Sequence, residues 1–82
     1  MTRFLVEVYT PAAAEIEKVE ARARCAAAES SDGETRVRYL RSIFVPADEM
    51  SFHLFEAPSV DAVRKAVQLA DLEYARIAEA VE

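Results

Sequence analysis

Residues 50–67 read MSFHLFEAPSVDAVRKAV, and a change of rhythm inside this stretch decides the fold. Its first seven residues, MSFHLFE, are rich in aromatic and branched side chains and predict a strand over 50–56. Pro58 disfavours helix in the residue before it, and Ser59 is a preferred helix N-cap. Beyond them Val60, Val63, Val67 and Ala70 recur at helical spacing and predict a buried stripe. A strand thus runs directly into a helix.

The N-terminal half repeats that order. Phe4, Val6 and Val8 alternate with Leu5, Glu7 and Tyr9, the period-two pattern of a strand. Thr10-Pro11 has the chemistry of an N-cap followed by a first helical residue, so a helix is expected over 12–29. Ile16, Val19, Ala23 and Ala26 share one face of it, and its small alanines permit close approach to a sheet. Ser30-Ser31-Asp32-Gly33 ends this helix with the only glycine of the chain. Residues 35–45, TRVRYLRSIFV, form a second strand, Pro46-Ala47-Asp48-Glu49 a hairpin connection, and residues 73–81 a last strand. The order is therefore β-α-β-β-α-β, an α+β chain. Right-handed crossovers place both helices on one face of a four-stranded antiparallel sheet with strands in the order fourth, first, third, second. This is the ferredoxin-like arrangement.

At 82 residues there is room for a single domain, residues 1–82. A chain of this size buries only about two-thirds of the surface its unfolded form exposes. With one cysteine, Cys25, no intramolecular disulfide can assist it, and dimerisation is the expected supplement. No run approaches the roughly 18 apolar residues of a membrane span. The opening MTRFLVEVYTP alternates and lacks a cleavage site, so no signal peptide is read there, and a soluble cytoplasmic protein is expected. A net charge of −5 argues against a nucleic-acid partner and is compatible with cations.

With helices on one side, the other sheet face needs water or a partner. The alternation assigns Phe4, Val6, Val8, Phe52 and Leu54 to the helix side, and Leu5, Glu7, Tyr9, Ser51, His53 and Phe55 to the open side. On the second strand Tyr39, Arg41 and Ile43 are expected on the open side, with Leu40 and Phe44 behind. Such a face is too apolar for solvent, and two sheets packed face to face would form a homodimeric α+β barrel.

His53 is the only histidine, and imidazole suits nickel, zinc and copper. Glu7, expected beside it on the neighbouring strand, is the natural second metal ligand. Without any ion, the same histidine can equally hydrogen-bond within a dimer interface, and one histidine without closely spaced partners is a weak metal signal. Arg41 competes for Glu7, in which case Asp48, Glu49 or a second subunit would supply oxygens. Cys25 lies opposite the apolar stripe of its helix and is expected to be exposed. The chain has no glycine-rich phosphate loop and no Ser-His-Asp spacing, so a non-enzymatic role is expected. A pocket between sheets lined by Tyr9, Tyr39, Arg41 and His53 is the alternative, and a partner-binding module without ligand is a third reading.

Three stretches, RFLVEVYTP, SFHLFEAPSVDAVRKA and LEYARIAEAVE, resemble the nickel-responsive protein family, small proteins once grouped as a domain of unknown function. The resemblance spans nearly the whole chain and implies a ferredoxin-like homodimer that binds nickel ion for sequestration or detoxification. Many relatives place a histidine in the second strand and a cysteine in the third. Here those positions hold Arg41 and His53, while Glu7 matches the family's glutamate.

Overall fold

The computed structural model describes residues 1–33 and 35–81. Its strands are β1 (Thr2–Tyr9), β2 (Arg38–Val45), β3 (Met50–Ala57) and β4 (Tyr74–Ala80), and its helices are α1 (Ile16–Ser30) and α2 (Val60–Leu69). They form one antiparallel sheet in the order β2-β3-β1-β4, the arrangement expected from the crossovers. Single 3-10 turns at Ala13–Glu15 and Pro46–Asp48 precede α1 and bridge β2 to β3.

The two helices start differently. Ser59 behaves as the sequence predicts: its hydroxyl accepts from the Ala62 amide at 3.2 Å and caps α2. Thr10 does not cap α1. Its side chain is buried and turns inward to Val8 and Ser51, while the chain enters α1 from the 3-10 turn through Glu15, which makes no side-chain cap. α2 ends on Asp71, whose φ of 56° lies in the left-handed region. Its amide reaches the Gln68 carbonyl and that of Leu72 the Val67 carbonyl, which closes the last turn.

Beneath the helices lies the core. Phe4, Val6, Val8, Phe55 and Ala57 of the sheet pack against Val19, Ala23 and Ala27 of α1 and Ala62, Val63, Ala66 and Val67 of α2. The alanines allow both helices to sit low on the sheet, so the core is thin and a few large residues fill it.

Cross-strand register fixes which residues join that core. Val6 faces His53, Phe4 faces Phe55, and Val8 faces Ser51, so the odd-numbered residues of β3 lie under the helices. Leu5 faces Leu54 and Glu7 faces Phe52, so these lie on the open side. The alternation expected along β1 is present, and that expected along β3 is inverted. Both faces of β3 are apolar, and residue type alone did not distinguish them. On β2 the register shifts between Tyr39 and Arg41, so that Leu40 forms a bulge. Tyr39 therefore shares the helix side with its partner Phe55, while Arg41 and Ile43 stay on the open side as expected.

Truncating the largest side chain of this thin core is expected to be severe. Phe55→Ala should cost about 3–5 kcal/mol in urea denaturation, and Ser59→Ala about 1 kcal/mol through the lost cap.

Candidate functional site

His53 and Glu7, paired in the sequence reading as metal ligands, stand on opposite faces of the sheet. His53 is fully enclosed at 0% exposure. Its ring occupies the helix side because it lies opposite Val6 in the β1–β3 register. The side chain tolerates that environment because both ring nitrogens are engaged. Nε2 lies 2.7 Å from the Ser51 hydroxyl, and Nδ1 lies 2.9 Å from the Tyr39 hydroxyl.

The bonding continues at each end. Ser51 Oγ is 2.7 Å from Thr10 Oγ1, which donates to the Val8 carbonyl at 3.2 Å. On the other side Tyr39 hydrogen-bonds with Ser42, and Ser42 donates to the Glu20 carboxylate on α1. A polar run thus crosses the layer from the end of β1 to the surface of α1. No buried side-chain nitrogen or oxygen among the described residues lacks a partner. That is the condition under which a polar group is stable in a core.

Aromatic packing holds the same residues. The Tyr39 ring meets Phe55 edge-on at 5.2 Å between centroids and lies 5.8 Å from the His53 ring. The Arg24 guanidinium sits over Tyr39 at 5.2 Å. Burial pushes the Tyr39 phenol above its ordinary value. Burial also holds His53 down to about 4, outweighing the opposing pull of the Glu20 carboxylate. At neutral pH the imidazole is uncharged, so it carries one N–H and one lone pair, which the two hydroxyls satisfy in either direction.

The open face differs in kind. Leu5, Arg41, Ile43, Phe52, Leu54 and Ala80 line a shallow hollow of about 170 Å³. Ile43 is 59% exposed, and Tyr9, at the far end of β1, 60%. Of the four residues expected to line a pocket between sheets, only Arg41 reaches this hollow, since Tyr39 and His53 are turned inward. Both carboxylates of this face are ion-paired with arginine. Glu56 pairs with Arg3 at 3.6 Å and Arg38 at 3.3 Å, and Glu7 pairs with Arg76 of β4 at 3.6 Å. The sequence reading paired Glu7 with Arg41 across β3, and the structure reaches it from the opposite edge of the sheet.

The described residues of one chain do not offer a closed nickel site. Among the described residues no three His, Cys, Asp or Glu side chains gather where one ion could reach them. The imidazole has no free nitrogen and no path to solvent, and Cys25 is exposed on the far side of α1. Borderline metals bind by several nitrogen, oxygen or sulfur donors at once, a requirement that a single paired carboxylate does not meet. Sequence reasoning missed Tyr39 and Ser51 as the partners of His53, and Thr10 as the partner of Ser51. The available signal was the recurrence of hydroxyl residues at the matching ends of β1 and β3.

No helix among the described residues is long and apolar enough to cross a membrane. A family model described as nickel responsive protein SCO4226-like matches residues 4–80. The crystal structure of SCO4226 from Streptomyces coelicolor A3(2) superposes with a TM-score of 0.78 at 16% identity, covering 98% of this chain and 96% of that one. No curated protein matches the sequence.

Removing the Tyr39 hydroxyl leaves a buried ring nitrogen without its partner. Tyr39→Phe is expected to cost about 1–3 kcal/mol in chemical denaturation. In the wild-type protein, absorbance titration should place one of the three tyrosines above the ordinary phenol range.

Proposed function

Because the chain belongs to the nickel-responsive SCO4226-like family, we propose that it is a non-enzymatic nickel-binding protein whose site is completed by a second copy. The observation that carries this reading is the family match across nearly the whole chain, joined to the lack of any three-donor group among the described residues of one chain. Sequestration or detoxification in the cytoplasm is the role that fits such a protein.

The homodimer follows from the open face. A sheet side bearing exposed Ile43 and half-buried Leu5 and Phe52 over buried Leu54 is apolar at its centre, and a second sheet packed on it would remove that carbon from water. Glu7 lies on this side, with its carboxylate about one-quarter exposed (25%). Its partner Arg76 is largely exposed at 69%, and exposed ion pairs are worth about 1 kcal/mol or less, so a divalent ion can replace it. His53 plays no part in holding the metal in this reading.

A small-molecule binder is the second reading, favoured by the hollow between Leu5, Arg41 and Phe52. Two copies facing each other would enclose it. Its occupant would be an apolar molecule.

Calorimetric titration with nickel chloride, alongside sedimentation equilibrium, tests the leading reading. The wild type should bind nickel as a dimer, Glu7→Gln should weaken binding at least about tenfold, one missing ligand being worth more than 1.4 kcal/mol, and His53→Gln should leave the stoichiometry unchanged. Absence of any nickel heat in the wild type, or loss of binding in His53→Gln while the fold is retained, would overturn it.

A further inference from the structure

We propose that the buried run of hydrogen bonds from Thr10 through Ser51 and His53 to Tyr39 is an acid-sensitive latch, which fastens β2 and α1 to the centre of the sheet and loosens when His53 takes up a proton. This inference does not depend on the nickel reading. It rests on four side chains from β1's end, β2 and β3, joined by contacts of 2.7 to 2.9 Å around a ring with no exposed surface.

The latch crosses three strands. Thr10 closes the end of β1, and its amide also donates to the Glu49 carbonyl at 2.7 Å, fixing the hairpin entrance to β3. Tyr39 belongs to edge strand β2, immediately before the bulge, where the ladder to β3 is interrupted. Beyond Tyr39 the run passes through Ser42 to Glu20, so α1 is tied to the same imidazole. These bonds therefore hold an edge strand and a helix to the middle of the sheet beside the point where the β2–β3 ladder is interrupted.

The strain of proton uptake lies in the charge and not in the count of hydrogen bonds. An imidazolium donates from both nitrogens, and the Ser51 and Tyr39 hydroxyls can accept both bonds by turning their own protons outward, to Thr10 and to Ser42. What it lacks is a counter-charge in contact with the ring. From α1, Glu20 is reached only through Ser42, and Arg24 stands over Tyr39 with the opposing sign. From β2 the groups are the neutral phenol and the Ser42 hydroxyl, and from β1 the facing residue is Val6. From α2 the buried residues are Ala62, Val63, Ala66 and Val67. A charge placed there loses its hydration with little return.

The direction with pH follows. In the unfolded chain the ring protonates near 6.5, and in the folded protein burial holds it to about 4. Between those values the unfolded state binds more protons, so stability is full above the upper value and falls as pH drops toward the lower one. For this group alone the folding equilibrium should weaken about twentyfold between pH 7 and pH 5.

His53 is the only histidine, so one imidazole resonance reports it without ambiguity. In the native wild type, the ring-proton chemical shift should remain that of the neutral form at pH 5. A midpoint near the ordinary 6.5 would overturn the proposal, and this measurement needs no variant. Urea denaturation at pH 7 and pH 5 then compares wild type with His53→Gln, which keeps a donor and an acceptor but does not titrate. The expected result is about a twentyfold greater loss of folding equilibrium in the wild type. Parallel losses in the two proteins would overturn it. Amide exchange should show β2 protection falling further than that of β1 in the wild type at pH 5, and equal loss across the sheet would remove the latch from β2.

Discussion

The pairing of β1 with β3, with Val6 opposite His53, is the constraint on which the rest of this structure depends. These are the two central strands, so their register decides the side of every neighbouring residue. A shift by one residue would exchange Ser51, His53 and Phe55 for Phe52 and Leu54 beneath the helices. Either choice buries aromatic and aliphatic carbon, and so hydrophobic burial discriminates weakly between them. The polar contacts discriminate strongly. In the observed register Ser51 meets Thr10 and His53 meets Tyr39, and no buried side-chain polar atom among the described residues is left unpaired.

A small core with a histidine at its centre is less tolerant than one made of hydrocarbon alone. A buried imidazole stabilises little by itself, since its hydrogen bonds replace bonds to water. Its value lies in how badly alternatives fare: misplacing it leaves a desolvated nitrogen or a desolvated hydroxyl. The bulge at Leu40 belongs to the same arrangement. By adding a residue to β2 it turns Tyr39 inward to His53 while leaving Arg41 and Ile43 outward. One local irregularity therefore completes the core and shapes the open face.

That division bears on function. Family membership connects the chain with nickel response, while the only imidazole is committed to the core and the carboxylates of the open face are paired with arginines. The helix-covered side is closed and self-satisfied; the open side is apolar in the middle and charged at its margins. The second copy proposed above would suit such a face, because stacking two sheets buries the apolar centre and leaves the charged rim near water.

Much of the fold was legible in the sequence because local chemistry determines it. The helical stripes of Val19, Ala23 and Ala26 and of Val63 and Val67, the cap at Ser59, the strand order and the facing of Phe4, Val6 and Val8 all follow from periodicity and crossover handedness. The N-cap read at Thr10 is not made, because its hydroxyl chose a partner forty-one residues away on another strand. The facing of His53 was not legible. Period two states only that neighbours point to opposite sides, and where both sides of a strand are apolar, it cannot say which side is inside. The sequence by itself determined the elements and their order. The tertiary structure alone decided that the imidazole lies inside and Glu7 outside, because that choice is made by cross-strand hydrogen bonds between residues distant in the chain.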